Sequence, residues 1–130
     1  MNLGSGLTHT ITGTWTRTAG ILNGGSSMLV LTGLTPISGT GGTFTPSTGT
    51  IEYGAAGNQT IGVFTYYNLK LSGSGTKTLG IAKITNNLSI YQTALASLPA
   101  ATTDTIASLS LDGYGKNIWN MGQHNFYRHQ

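Results

Sequence analysis

Leu29-Val-Leu-Thr-Gly33, Leu69-Lys-Leu-Ser-Gly73 and Leu109-Ser-Leu-Asp-Gly113 are three copies of one pattern, Leu-x-Leu-polar-Gly, set 40 residues apart. Between them stand the related runs Ile51-Glu-Tyr-Gly54 and Leu88-Ser-Ile-Tyr91, with a weaker one at Ile11-Thr-Gly13. The leading apolar positions fall at 11, 29, 51, 69, 88 and 109, so the fundamental step is about 20 residues. Within each run apolar and polar residues alternate, as they must in a strand with one buried face. A step of this size is too long for a tight hairpin and lacks the helix of a parallel crossover. It matches one coil of a parallel β-solenoid, whose short strands are joined by Gly-rich corners and whose coils stack about 4.8 Å apart. The expected fold is therefore all-β, a parallel β-solenoid (β-helix) with about 20 residues per coil and five to six coils. Its predicted interior is Leu29, Leu31, Ile51, Leu69, Leu71, Leu88, Ile90, Leu109 and Leu111. Gly33, Gly54, Gly73 and Gly113 are expected to supply positive φ at the corners. The alternative is a β-sandwich, which also has short strands and frequent turns but no reason to repeat at 40.

Composition narrows the class. Gly, Thr and Ser fill 53 of 130 positions and charged residues only 7%, which excludes an ordinary helical protein. Disorder pairs low hydrophobicity with high charge, and this chain is 38% hydrophobic with few charges. The six basic residues, Arg17, Lys70, Lys77, Lys83, Lys116 and Arg128, are scattered singly. The pI near 9.4 thus reflects a shortage of acids (Glu52, Asp104, Asp112) and is no signal for nucleic acid. With no Cys there is no disulfide framework and no thiolate chemistry. The longest apolar run, 28–31, is far short of the roughly 20 residues a membrane helix needs, so no membrane insertion is expected. Residues 1–6 show no export signal, which leaves a cytoplasmic protein, a processed chain or a piece of something longer.

The stretches Gly49-Thr-Ile-Glu-Tyr-Gly-Ala-Ala-Gly-Asn-Gln-Thr-Ile61, Thr65-Tyr-Tyr-Asn-Leu-Lys-Leu-Ser-Gly-Ser-Gly-Thr-Lys-Thr-Leu79 and Ile84-Thr-Asn-Asn-Leu-Ser-Ile90 carry a resemblance. Together they resemble the tandem modules of very long bacterial cell-surface and secreted, adhesin-like repeat proteins, over roughly residues 11–115. The resemblance implies an extracellular or cell-surface structural or adhesive β-solenoid. It carries no family catalytic residues and no cofactor.

Candidate sites are few. Three carboxylates barely allow a general acid/base pair, and Asp104 with Asp112 is the one close pair, expected on neighbouring solvated corners. His124 and His129 have no third ligand beside them, and His9 is expected to face solvent. Gly39-Thr-Gly-Gly42 lacks the helix and lysine of a phosphate loop. Phe64, Tyr66 and Tyr67 with Lys70 are expected in core and corner packing, with stacking on a sugar as the rival use. Asn58 and Asn87 head glycosylation sequons, and surface glycans are a candidate partner. Thr8, Thr10, Thr12, Thr14, Thr16 and Thr18 occupy every second position, so one extended strand would carry all six on one side. That strand is expected to serve self-association, and an ice-binding face is the sharper alternative.

Trp15–Gly20 aligns with Phe44–Gly49, and Ser38–Gly41 with Ser72–Gly75, at offsets of 29 and 34. These offsets mark either coils of varying length or recurring corner solutions. Residues 92–105 are rich in Ala and are expected to form a longer corner or a short helical turn before Pro99. The solenoid is assigned to 1–115 and an atypical tail or cap to 116–130. Trp119, Phe126 and Tyr127 suit a cap. Alternatively, displacing the tail's codons by one base lets 117–129 read Thr-Ser-Gly-Thr-Trp-Gly-Ser-Thr-Thr-Ser-Thr-Ala-Thr, close to the body's composition, and the coding DNA distinguishes the two.

The expected function is non-enzymatic: an extracellular structural or adhesive module that partners itself in filaments or forms part of a longer surface rod. A phage fibre segment and a polysaccharide-acting β-helix enzyme are the remaining alternatives.

Overall fold

The computed structural model describes residues 1–80, 82–100 and 103–112, and the backbone of two further strands in the tail. The first coil is β1 (Thr8–Ile11), β2 (Trp15–Thr16) and β3 (Ile21–Asn23), and the second is β4 (Met28–Leu31), β5 (Ile37–Ser38) and β6 (Thr43–Thr45). Each coil visits three faces in turn. The third continues with β7 (Thr50–Tyr53), β8 (Gln59–Thr60) and the start of β9 (Thr65–Leu71), which bends from the third face onto the first without a break. After β10 (Thr76–Thr78), β11 (Lys83–Ile90) makes the same bend. Then follow β12 (Leu95–Leu98), β13 (Thr105–Ile106) and β14 (Leu109–Leu111), with β15 (Ile118–Met121) and β16 (His124–Tyr127) in the tail. The fold is a β-solenoid of about five turns with no helix among the described residues.

Every pairing up to β15 is parallel, and the first face stacks β1, β4, β7, β9, β11 and β14. Successive register steps on this face are 20, 22, 18, 19 and 21 residues. Two inward columns result, Leu29-Ile51-Leu69-Leu88-Leu109 and Ile11-Leu31-Tyr53-Leu71-Ile90-Leu111. Seven of the nine predicted interior residues are buried, from Leu29 to Ile90. Leu109 is 47% exposed and Leu111 half-buried, because both sit on the last strand of their columns.

The register corrects one position. Ile11 stacks under Leu31, not Leu29, and the foot of the first column is His9. His9 is half-buried with Nε2 2.8 Å from the Leu3 carbonyl, so it does not simply face solvent. Apolar identity alone pointed to the wrong member of the alternating pair.

The six threonines do not lie on one strand. Thr8 and Thr10 are on β1 and Thr16 is on β2, with a corner at Thr12–Gly13 between them. All six are nonetheless exposed, since the alternation is carried around the corner. Nor do residues 92–105 form a helical turn. Leu95–Leu98 is strand β12, with Ala96 and Leu98 inward, because small residues fit the narrow lumen opposite the columns of the first face.

Glycine works at the corners by two routes. Among the four predicted corner glycines, Gly73 takes positive φ, whereas Gly33 and Gly54 do not, and Gly113 lies outside the described residues. A Cβ on Gly33 would sit 2.2 Å from the carbonyl oxygen of Gly13 in the coil below. Close stacking of backbone on backbone, and not chirality, is what demands glycine there. The corner from third to first face is punctuated only in the first two coils, by Gly24-Gly25 and by Pro46 to Gly49. In the next two it contains Tyr67 or Thr85-Asn86, so the strand runs through, with a register shift between Ile84 and Asn87. The 29- and 34-residue offsets are recurring corner solutions: Trp15 lies on the second face and Phe44 on the third. Their rings still meet, at 6.1 Å, inside the lumen.

The columns set unequal costs for truncation. Leu71→Ala, in mid-column, is expected to lose about 2–5 kcal/mol of stability in urea unfolding, and Leu109→Ala at the column end less than about 1.5 kcal/mol. Leu71→Asp is expected to unfold the chain, since it buries an unpaired carboxylate. Equal losses at positions 71 and 109 would contradict the stacking.

Candidate functional site

The buried polar groups brace one coil against the next. Lys77, inward on β10, is fully buried and donates from Nζ to the carbonyls of Ala55 and Gly57, both 2.9 Å, and to Gln59 Oε1 at 2.8 Å. Gln59 passes the bonding down a coil, donating from Nε2 to the carbonyls of Leu31 and Gly33 at 3.0 and 2.8 Å. Its Oε1 also accepts from the Ala55 amide at 3.2 Å. Three coils are thus fastened at the corner between the first and second faces. Desolvation pulls the Lys77 amine down to about 8. Sequence reasoning passed over both residues, for Thr76-Lys-Thr78 and Asn58-Gln-Thr60 look solvated. The signal was present in the alternation, where the central residue of a Thr-x-Thr strand points inward.

Tyr53 and Tyr66 form a second closed network. The Gly62 amide donates to the Tyr53 oxygen at 2.9 Å, and the Tyr66 hydroxyl donates to the Gly62 carbonyl at 2.6 Å. The Tyr66 proton being so used, the 2.9 Å contact between the hydroxyls has Tyr53 as donor. Burial raises both phenols, Tyr53 to about 12. Gly62 is required by space, as a Cβ would meet Phe64 at 2.5 Å. Around this network Trp15 stacks on Phe64 at 5.8 Å, and Phe44 and Tyr66 meet Phe64 at 5.4 and 5.8 Å. Phe64 and Tyr66 therefore pack inside, as expected.

The carboxylates do not converge. Glu52 pairs with Lys70 at 3.3 Å and accepts from the Ser72 hydroxyl, all on the outside of the first face. Lys70 also lies 4.7 Å from the Tyr91 ring. Asp104 accepts from the Ala82 amide of the coil below at 2.8 Å. Asn58 and Asn87 each spend Oδ1 on a neighbouring coil. Among the described residues no three potential metal ligands gather, and no helix is long and apolar enough to cross a membrane. The side chains of His124 and His129 lie outside the described residues.

The N-terminal end is the largest concave feature found, a cavity of about 670 Å³ where the lumen opens under the first coil. Leu3, Ile11, Trp15, Leu22 and Leu29 give it apolar walls, and His9 and Arg17 its polar groups. Arg17 lies 4.6 Å over the Phe64 ring and donates to the Gly42 carbonyl at 2.9 Å. On the third face the coil is covered from below. Asn23 donates to the Met1 carbonyl and Leu3 to the Asn23 carbonyl, each at 2.9 Å, and Leu3 is buried.

The other two faces end in open edges. The carbonyls of Leu7 and Ile11 accept from Met28 and Thr32, and the amides of Trp15 and Arg17 donate to Pro36 and Ser38. Backbone groups of successive residues point to opposite sides of a strand, so those of Thr8, Thr10 and Thr16 are aimed away from the stack. Met1, Leu7 and Ile21, at 83, 54 and 63% exposure, add apolar surface at this end. Comparison with family models, with curated proteins and with solved structures found no match to this chain.

The buried groups fix a pH profile for stability. Between about pH 8 and 10.5 the unfolded chain holds a proton on Lys77 that the folded chain has released, so stability rises with pH. Above about pH 10 the unfolded chain releases Tyr53 and Tyr66 protons that the folded chain keeps, so stability falls. Urea midpoints are expected to peak near pH 10, and Lys77→Met to abolish the rise while sparing the fall. An unchanged rise in that variant would refute the assignment to Lys77.

Proposed function

We propose that this chain is a non-enzymatic structural or adhesive module of an extracellular surface, built to extend a rod by end-on stacking of solenoid coils. The observation that carries it is the N-terminal end, where an apolar cavity and two unpaired parallel edges lie side by side. Each half of that arrangement asks for the same occupant. The cavity takes inward apolar side chains, and the edges take the backbone of strands running parallel to β1 and β2.

The chain's own C-terminal end offers both. Leu109 and Leu111 terminate the two columns whose feet are His9 and Ile11, and β14 runs parallel to the strands below it. Charge favours the same pairing of unlike ends: Arg17 and the N-terminal amine lie at one end, and Asp104 and Asp112 belong to the last two coils. A contact between unlike ends does not close on itself, so its product is a filament or a continued rod. Placement at a bacterial surface, an adhesive role and contact with glycans rest on the resemblance of residues 11–115 to surface repeat modules. The polar side chains serve this function by holding coil to coil, as Lys77 and Gln59 do across three coils.

Thr10→Pro tests the reading. The Thr10 side chain is exposed and its amide points away from β4, so proline removes a donor from the free edge and none from the sheet. Sedimentation of the parent chain at rising concentration is expected to give species well above 13.5 kDa, with rods under the electron microscope. Thr10→Pro is expected to remain monomeric with its fold intact. A parent chain that stays monomeric at the highest attainable concentration would refute end-on stacking.

A further inference from the structure

The two ends of the solenoid differ in a way that bears on how stacking is limited. Up the second face the strands run β8, β10, β12 and β15, all parallel, and then the direction reverses: β16 lies on β15 antiparallel, with Ile118 opposite Tyr127 and Met121 opposite His124. The first face ends at β14 and the third at β13, with no such addition among the described residues. The second face is therefore one strand taller than the coil path requires.

A following coil would be laid down in fixed order: a third-face segment after β15, then a first-face strand over β14, then a second-face strand over β15. A second copy presents its N-terminus in that order, as residues 1–3, β1 and β2. Its β2 has to land on the upper edge of β15. That edge is the one β16 occupies, and a strand placed above β16 instead would stand about 4.8 Å out of step with the other two faces.

We infer that β16 is a built-in stop on end-on growth, holding the docking edge of β15 closed until a second copy's β2 displaces it. The inference rests on the stacking reading above and specifies its regulation. Only residues 122 and 123 separate β15 from β16, so the stop competes as an intramolecular partner at an effective concentration on the order of millimolar. An incoming copy at micromolar concentration loses that competition unless its apolar and charge contacts compensate. The stop thus raises the concentration at which rods appear without abolishing them.

The full chain is compared with N125P/F126P, with the alanine control N125A/F126A, and with N125P/F126P carrying T10P. Adjacent prolines remove a donor from the β15 side whichever of the two residues faces it, because backbone groups alternate. The alanines leave the backbone pairing in place. The threshold for rod formation, read by sedimentation and electron microscopy, is expected to fall at least about tenfold in the proline pair. It is expected to stay at the parent value in the alanine pair, and T10P is expected to remove the rods. Hydrogen exchange on the parent rods gives an independent readout, with 124–127 losing protection as Thr8, Thr10 and Thr16 gain it. Equal thresholds for parent and proline pair, both abolished by T10P, or continued protection of 124–127 in rods, would overturn the stop and leave stacking intact. Monomers in every sample would overturn stacking itself, and the stop with it.

Discussion

Parallel in-register stacking is the constraint on which everything else in this molecule depends. Because each coil lies directly on the one below, each inward residue has one neighbour above and one beneath at about 4.8 Å. A column must then be consistently apolar or internally hydrogen-bonded, since an unpartnered polar group in it costs about 1–3 kcal/mol. The first face takes the apolar solution, with Leu, Ile and Tyr in two unbroken columns through its middle coils. The second face takes the polar one, where Gln59 and Lys77 stand one above the other and exchange a hydrogen bond. Backbone obeys the same rule, as the contact of Gly33 with the Gly13 carbonyl shows.

This constraint explains why so much of the fold is legible in the sequence. A repeat of Leu-x-Leu-polar-Gly at 40 residues is the trace of two columns sampled every second coil, and it survives because a column tolerates few substitutions. Leu29, Leu69 and Leu88 were readable for that reason. His9 was not, because the foot of a column has no neighbour below and so escapes the rule that makes the pattern. Lys77 and Gln59 were missed for a different reason: long polar side chains satisfied by coils on either side look, in one dimension, like solvated ones.

The candidate site was legible only in part. Six alternating threonines signalled an exposed, strand-like segment near the N-terminus, and exposure at all six positions agrees with that. The corner at Thr12–Gly13 was hidden, since alternation is blind to a change of direction that preserves inward and outward faces. The consequence matters for function, because it divides the free edge between two faces and places an apolar cavity between them. The cavity itself depends on Trp15, Leu22 and Leu29, which come from three different strands and share no local signature.

The central claim is that the first coil is bonded on one side only. Residue-resolved amide exchange on dilute monomer tests this directly, because the two outcomes differ along a single short strand. The account predicts alternation on β1 and β2: His9, Ile11, Trp15 and Arg17, whose amides face the second coil, exchange slowly, while Thr8, Thr10 and Thr16 exchange at unprotected rates. Uniform protection of Thr8 to Ile11, or alternation with the opposite phase, would contradict both the register of the first coil and the open edge built upon it.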